Sequence, residues 1–275
     1  MEFGFLFWFF LIGLIVASLQ DLKRREVDNW LNLFLVFGGL TYLSYSALFS
    51  SDYFLILQAG LAVVVMFFFM NLFYYGRVFA GGDAKLLFAM TAFFVSTTFY
   101  LTLINIGLFL LLLMFAGSIY GISFSLFLYL RSPREVNAKM KEVFSSKFIR
   151  GILFGGLSVL VFGVFSLYFV LLGAFFVLFA LLYVFARGLE LVSMTRFVSG
   201  RDLREGDWLA EDIYVGKKKI KATWDGLTLN DLKLLSRKNQ VKIKEGIPFV
   251  PSFLIAFFIY ALLHDWVLSL LANLI

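Results

Sequence analysis

Residues 53–74 read YFLILQAGLAVVVMFFFMNLFY, 22 positions without a charge. A helix needs about 20 such residues to cross a hydrocarbon core. A backbone in lipid must also satisfy its own polar groups, which a helix does and an open strand does not. Further apolar runs fall at residues 3–19, 30–50, 86–98, 100–130, 151–186 and 248–275. Only 15% of the 275 residues are charged and 61% are hydrophobic, whereas a soluble domain is about 25% charged. The chain therefore reads as an all-α polytopic membrane bundle. The first run, EFGFLFWFFLIGLIVASL, is followed rather than preceded by the basic residues Lys23, Arg24 and Arg25, the reverse of a secretory signal peptide. It is expected to stay as an anchor with its N-terminus outside. There is no cysteine, which excludes disulfides and thiolate ligands or nucleophiles.

The positive charges decide the number of crossings. Residues 151–186 could form one overlong helix or a tight hairpin turning between Gly163 and Gly173. With one helix, the 13 Lys and Arg between 187 and 246 would lie outside. With a hairpin, segments 20–29, 75–85, 131–150 and 187–247 lie inside and hold all 24 Lys and Arg of the chain. Outside are then only the charges Glu2, Asp52 and Asp265, with His264 nearby. The expectation is about eight transmembrane helices, alternatively seven, in a multi-pass protein of the cell membrane. The net charge of +6 needs no nucleic acid, because a basic cytosolic face lies beside anionic lipid headgroups.

Four regions follow: a core of about five helices over 1–130, a basic loop with further helices over 131–186, a polar module over 187–247, and a final helix over 248–275. The module reads as a small α+β cytosolic unit. Ile213–Val215, Lys219–Thr223 and Val241–Lys244 are its strand candidates, TWDGL its turn, and Thr228 or Asn230 caps a helix through Arg237 that Asn239 could end in the left-handed conformation. It carries no histidine and no metal-type spacing.

Two carboxylates stand at span ends on the same face. Asp21 closes the first span in ASLQDLKRREVDNW, and Asp83 opens the fourth in FAGGDAKLLFAM. Singly, each has an ordinary reading: Asp83 as an N-cap of the helix that follows, Asp21 and Asp28 as solvated flank beside basic residues. As a pair they point to chemistry, since acids at a membrane edge are costly and tend to mark function. Two carboxyl groups that approach closely share one proton and titrate as a unit. The charged member can then take a proton from water while the neutral one donates to a carbonyl. Gly81 and Gly82 would allow close approach and unusual dihedrals, and Lys85 could hold charge near the pair or meet lipid phosphate.

These two strings resemble the GxGD-type intramembrane aspartyl proteases, and within them the type IV prepilin and archaeal preflagellin peptidases. Asp21, Lys23, Arg25, Val27 and Asn29 match the family's first motif, with Asp28 where proline is usual. Gly82, Asp83 and Lys85 match the second, with Ala80 in place of its first glycine. The resemblance covers the first four or five spans. It implies an aspartic endopeptidase with Asp21 and Asp83 as its dyad, and supporting or substrate-binding roles for Gly81, Gly82, Lys85, Lys23, Arg25 and Asn29. The implied substrate is a pilin-like or archaellin precursor whose short basic leader is cut at the cytosolic face. No metal and no cofactor is implied.

Two other classes compete. A cation- or proton-coupled transporter would use the acids as an ion site, but the spans carry few polar interruptions, Asn32, Gln58, Asn71 and Asn105, and no ionisable group at mid-membrane. A noncatalytic pilus-assembly scaffold would use the 187–247 module as its docking surface. His264 reads as an interfacial anchor, the phenylalanines as lipid-facing and packing surface, and Gly155, Gly156, Gly117 and Gly121 as points of close helix approach.

Overall fold

The computed structural model describes residues 4–274 apart from Lys217 and Asp225. It forms two compact units, Met1–Ile122 with Pro248–Ile275, and Ser123–Ile247. Seven helices among the described residues are long and apolar enough to cross a membrane. The expected all-α bundle with a small sheet-bearing module before the last helix is therefore what the chain forms.

The first unit is built from α1 (Phe5–Arg24), α2 (Asn29–Ser50), α3 (Phe54–Tyr75), the short α4 (Gly81–Ala89), most of α5 (Phe99–Arg131) and α10 (Val250–Leu274). α1 and α2 approach closely because Gly13 faces Leu35 while Gly38 and Gly39 face Phe9 and Phe10, so large side chains fill the holes that small ones leave. Gly117, one of the anticipated contact glycines, receives the ring of Phe249, whereas Gly121 faces open space. Phe93, Phe94, Phe109, Phe257 and Tyr260 interlock at the centre. Many other aromatics, such as Trp8, Phe37 and Phe49, are exposed on the outside of the bundle, as lipid contact requires.

The fourth crossing departs from the expected continuous helix. α4 has nine residues, followed by a 3-10 turn at Thr91–Phe94 and a non-helical stretch to Phe99. One end of this segment meets the start of α2, where Lys85 donates to Asn29. Its other end meets the start of α3, where the rings of Phe54 and Phe99 touch. The nine-residue helix rises about 13 Å and the 3-10 turn about 8 Å, and the chain bends at Thr97 and Thr98 before α5 begins. The segment is thus a broken rather than a continuous helix. Thr102 Oγ1 accepts from the Ser96 amide and donates to Gln58 Oε1, and Asn105 Nδ2 donates to the Phe94 carbonyl. Irregular backbone at membrane depth is tolerated where neighbouring side chains satisfy it. Gln58 and Asn105, seen in the sequence as interruptions, belong to that repair. Thr98 Oγ1 accepts from the Leu101 amide and so caps the start of α5.

In the second unit, α6 (Pro133–Phe144) precedes a hairpin of α7 (Lys147–Val161) and α8 (Leu167–Ser193). The hairpin expected over 151–186 is present, turning at Phe162–Ser166. Gly156 and Gly173 bring its arms together, each lying against the other's carbonyl oxygen, while Gly155 faces open space. The module's strands are β1 (Thr195–Val198), β2 (Trp208–Leu209), β3 (Ile213–Val215), β4 (Lys218–Ile220) and β5 (Val241–Lys244), with α9 (Leu229–Leu235) between β4 and β5. They form an antiparallel sheet in the order β1-β5-β2 and a β3-β4 hairpin. β5 alternates, burying Val241 and Ile243 with Leu203, Leu209, Leu227 and Leu235. Thr228 caps α9 in a reciprocal box with Asp231, so Thr228 rather than Asn230 is the cap. Asn239 does not take a left-handed φ. β1 and β2 were not visible in the sequence, and the expected turn at TWDGL includes Asp225, outside the described residues, as is Glu2.

Candidate active site

α1 carries Asp21 on its buried stripe. Phe7, Phe10, Leu11, Leu14, Ala17, Ser18 and Asp21 recur at three- and four-residue steps and all face inward. Asp21 is therefore buried, at 5% exposure, while its neighbours Lys23, Arg24 and Arg25 are exposed. α1 ends three residues later, at Arg24. Arg25 adopts a left-handed φ of 58° and returns its amide to the Asp21 carbonyl at 2.8 Å, a helix-ending geometry that glycine ordinarily fills. A carboxylate on the inward stripe needs a donor, and Asp21 Oδ2 accepts one from the backbone N–H of Val250 at 2.9 Å.

Asp83 is the third residue of α4. The helix begins at Gly81 with Ala80 as its N-cap, so Asp83 is not the N-cap that the sequence suggested. From this position its carboxyl interacts with the Ala80 backbone, as an acid at the third position of a capping box does. It also lies near enough to Asp21 for that residue's charge to act on it. The fold thus brings together two acids separated by 62 positions in sequence. α4 is held between α2 and α3, and Ala84, Leu86, Leu87 and Ala89 anchor it in the core.

The remaining candidate residues surround the pair. Lys85 donates to Asn29 Oδ1 at 2.9 Å, joining the loop after α1 to the start of the broken crossing. Gly81 and Gly82 have no left-handed φ. A Cβ would sit at ordinary contact distance, 3.6 Å from Tyr74 and 3.7 Å from the Val27 amide. Neither glycine is required by dihedral or close approach in this conformation, contrary to the expectation. Lys23 and Arg25 are exposed. Asp28 ties the loop together: its carboxylate accepts from Arg24 at 2.6 Å and from the Trp30 indole, and its amide donates to Gln20.

Sequence reasoning missed the donor that Asp21 uses and assigned no role to two buried polar side chains. Val250 lies 229 positions from Asp21, and nothing in IPFVPSF marks its amide as a partner for an acid. Ser18 and Asn32 are buried, and among the described residues Ser18 Oγ and both amide atoms of Asn32 have no hydrogen-bond partner. Ser18 sits one helical turn from Asp21 on the same stripe. That polar pattern on an apolar helix face was a signal the sequence did contain.

No group of three His, Cys, Asp or Glu among the described residues could hold a metal ion. A cleft of about 260 Å³ in the second unit contains neither acid; it is lined by Glu190, Trp208, Trp224, Lys244 and Glu245 among others. Its charges pair with one another or with nearby arginines: Glu190 with Lys244 and Arg187, and Glu245 with Arg196.

Residues 8–128, which contain both acids, match the type IV leader peptidase family. Over 81 residues the chain is 35% identical to the preflagellin peptidase of Methanocaldococcus jannaschii, covering 30% of this chain and 34% of that protein. Over 81 residues it is 30% identical to the preflagellin peptidase of Methanococcus maripaludis, covering 30% of this chain and 35% of that protein. The matched part thus spans about a third of the length of each of these curated relatives. No solved structure matches. The family that residues 8–128 match is the one the two motifs resemble.

Proposed function

We propose that this protein, whose residues 8–128 match the type IV leader peptidase family, is a membrane-embedded aspartic endopeptidase with Asp21 and Asp83 as its dyad. The observation that carries the reading is the convergence of two distant acids at one end of the first unit, one buried at 5% exposure and the other within reach of its charge. The substrate is a type IV pilin-like or archaellin precursor, from which the short basic leader is removed. Both curated relatives are named for preflagellin cleavage, which favours the archaellin branch. The cytosolic face is supported by the distribution of Lys and Arg, all of which fall in the segments assigned to that side.

The chemistry uses a single shared proton. One carboxylate takes a proton from water as the water oxygen bonds to the scissile carbonyl carbon. The other acid gives its proton to the carbonyl oxygen. Collapse of the tetrahedral adduct breaks the C–N bond, with a proton passing to the leaving amine. Lys85, Asn29, Gly81 and Gly82 shape the rim, and Lys23 and Arg25 face outward, where lipid phosphate or the substrate chain meets them.

The test is cleavage of a pilin-type precursor by the purified protein in lipid, comparing wild type with Asp21→Asn and Asp83→Asn by gel shift. Loss of cleavage in either variant, with both still folded, is the expected result. Cleavage that survives both changes returns the acids to capping and flanking roles and favours a transporter or an assembly scaffold.

A further inference from the structure

The first turn of a helix leaves amide donors with no partner inside the helix. In α10 most of these donors are accounted for, and the backbone of Phe249 also bears on Asp21. Pro251 has no N–H, the Ser252 amide bonds the Phe249 carbonyl, and the Val250 amide goes to Asp21 Oδ2 at 2.9 Å. Val250 is fully buried and Asp21 nearly so, which strengthens a charge-assisted bond. The turn that presents this amide is gripped from two sides. The Phe249 ring lies over Gly117 of α5, where an added Cβ would come within 2.5 Å of the ring tip. The same ring packs at 5.4 Å against Phe79, four positions before Asp83.

We infer that the Phe249–Val250 turn is a positioning element of the active site. Its main-chain N–H orients the Asp21 carboxylate and keeps it as the proton acceptor of the pair, which leaves Asp83 as the proton donor. The inference rests on the aspartic endopeptidase reading and deepens it: water gives its proton to Asp21, and the carbonyl oxygen takes one from Asp83.

Val250→Pro removes the donor at a first-turn position where proline is well accommodated. Val250→Ala keeps the N–H and loses only packing. Both are compared with wild type in lipid on a pilin-type precursor, reading kcat, KM and the pH–rate profile. Val250→Pro is expected to lower kcat by about 10- to 100-fold, the scale of a hydrogen bond to a charged group. KM should change little, and the acid limb should move to higher pH; Val250→Ala should keep the wild-type profile. Wild-type kcat and profile in Val250→Pro, or an equal fall in both variants, overturns the inference. If Val250→Pro does not fold, Gly117→Ala, which presses on the Phe249 ring, must shift the acid limb in the same direction; an unmoved limb overturns it too. Failure of the underlying reading looks different: cleavage then survives Asp21→Asn and Asp83→Asn, and this inference falls with it.

Discussion

The first unit has two polar clusters, one at each end of the same elements. At one end α10 offers its Val250 amide to Asp21, and the broken crossing begins with Asp83. At the other end α10 carries His264, which bonds Asp265 at 2.8 Å and Asn105 at 3.2 Å, and the crossing's Phe94 carbonyl accepts from Asn105. Both ends contain aspartate, yet they differ in how charge is met. Asp265 is largely exposed and paired with a base. Asp21 is buried and bonded to the Val250 amide, with Asp83 on the neighbouring helix start. A cluster whose members satisfy one another holds structure together. A cluster that holds two acids near one another at a buried helix end is what the proposed proton transfer would use.

The largest effect that would break this contrast is on turnover. Asp83→Asn and Asp21→Asn should each reduce cleavage by at least about 10²- to 10⁴-fold with little change in melting temperature, and Asp265→Asn should leave cleavage near wild type. A reversed order would assign the chemistry to the wrong end. The wild-type rate should also be bell-shaped in pH, falling on the alkaline side as the pair loses its shared proton and on the acid side as the acceptor gains one. A flat alkaline side, with chemistry limiting, would remove the shared proton.

Stability should respond at the far end. Asn105→Leu leaves the Phe94 carbonyl buried without its donor, and thermal unfolding in lipid should show a loss of about 1–3 kcal/mol while the folded fraction keeps its kcat. Thr102→Val, which deletes the hydroxyl between Ser96 and Gln58, should cost about 1 kcal/mol. A fall in kcat without a fall in stability in either variant would mean that the far end also takes part in the reaction.

The smallest effect lies in the polar module, where hydrogen bonds from Thr228 hold the Asp231 carboxyl below the usual aspartate range. A group depressed on folding contributes stability above its unfolded value and loses it as pH falls through its folded value. Amide protection of Leu229–Leu235 should therefore weaken on acidification, and Asp231→Asn should remove that dependence.

Several of these features could be read from the residues. The inward stripe of α1 ends on Asp21, GGDAK opens a short helix, and the basic residues sort the loops, so both acids and the bundle were legible. The α7–α8 hairpin was legible from charge counting, because one long helix would have put 13 basic residues on the opposite side from the other 11 of the chain's 24. The break after α4 was not: FAMTAFFVSTTFY is as apolar as a span, and only Gln58, Thr102 and Asn105, brought in from other helices, make a broken backbone tolerable there. β1 and β2 escaped notice because neither is stable alone, and each is fixed by pairing with β5.

The sequence by itself determined that the chain spans a membrane, where its acids fall along the spans and which family its first 128 residues resemble. Those follow from hydrophobic run length, charge placement and local motifs, all of which act over a few turns of chain. Tertiary structure decided that Asp83 stands third in its helix rather than capping it, that the fourth crossing is broken, and that the last helix gives its first amide to Asp21. Each of these depends on a buried polar group finding its partner tens to hundreds of residues away, a choice set by which donors and acceptors packing leaves without water.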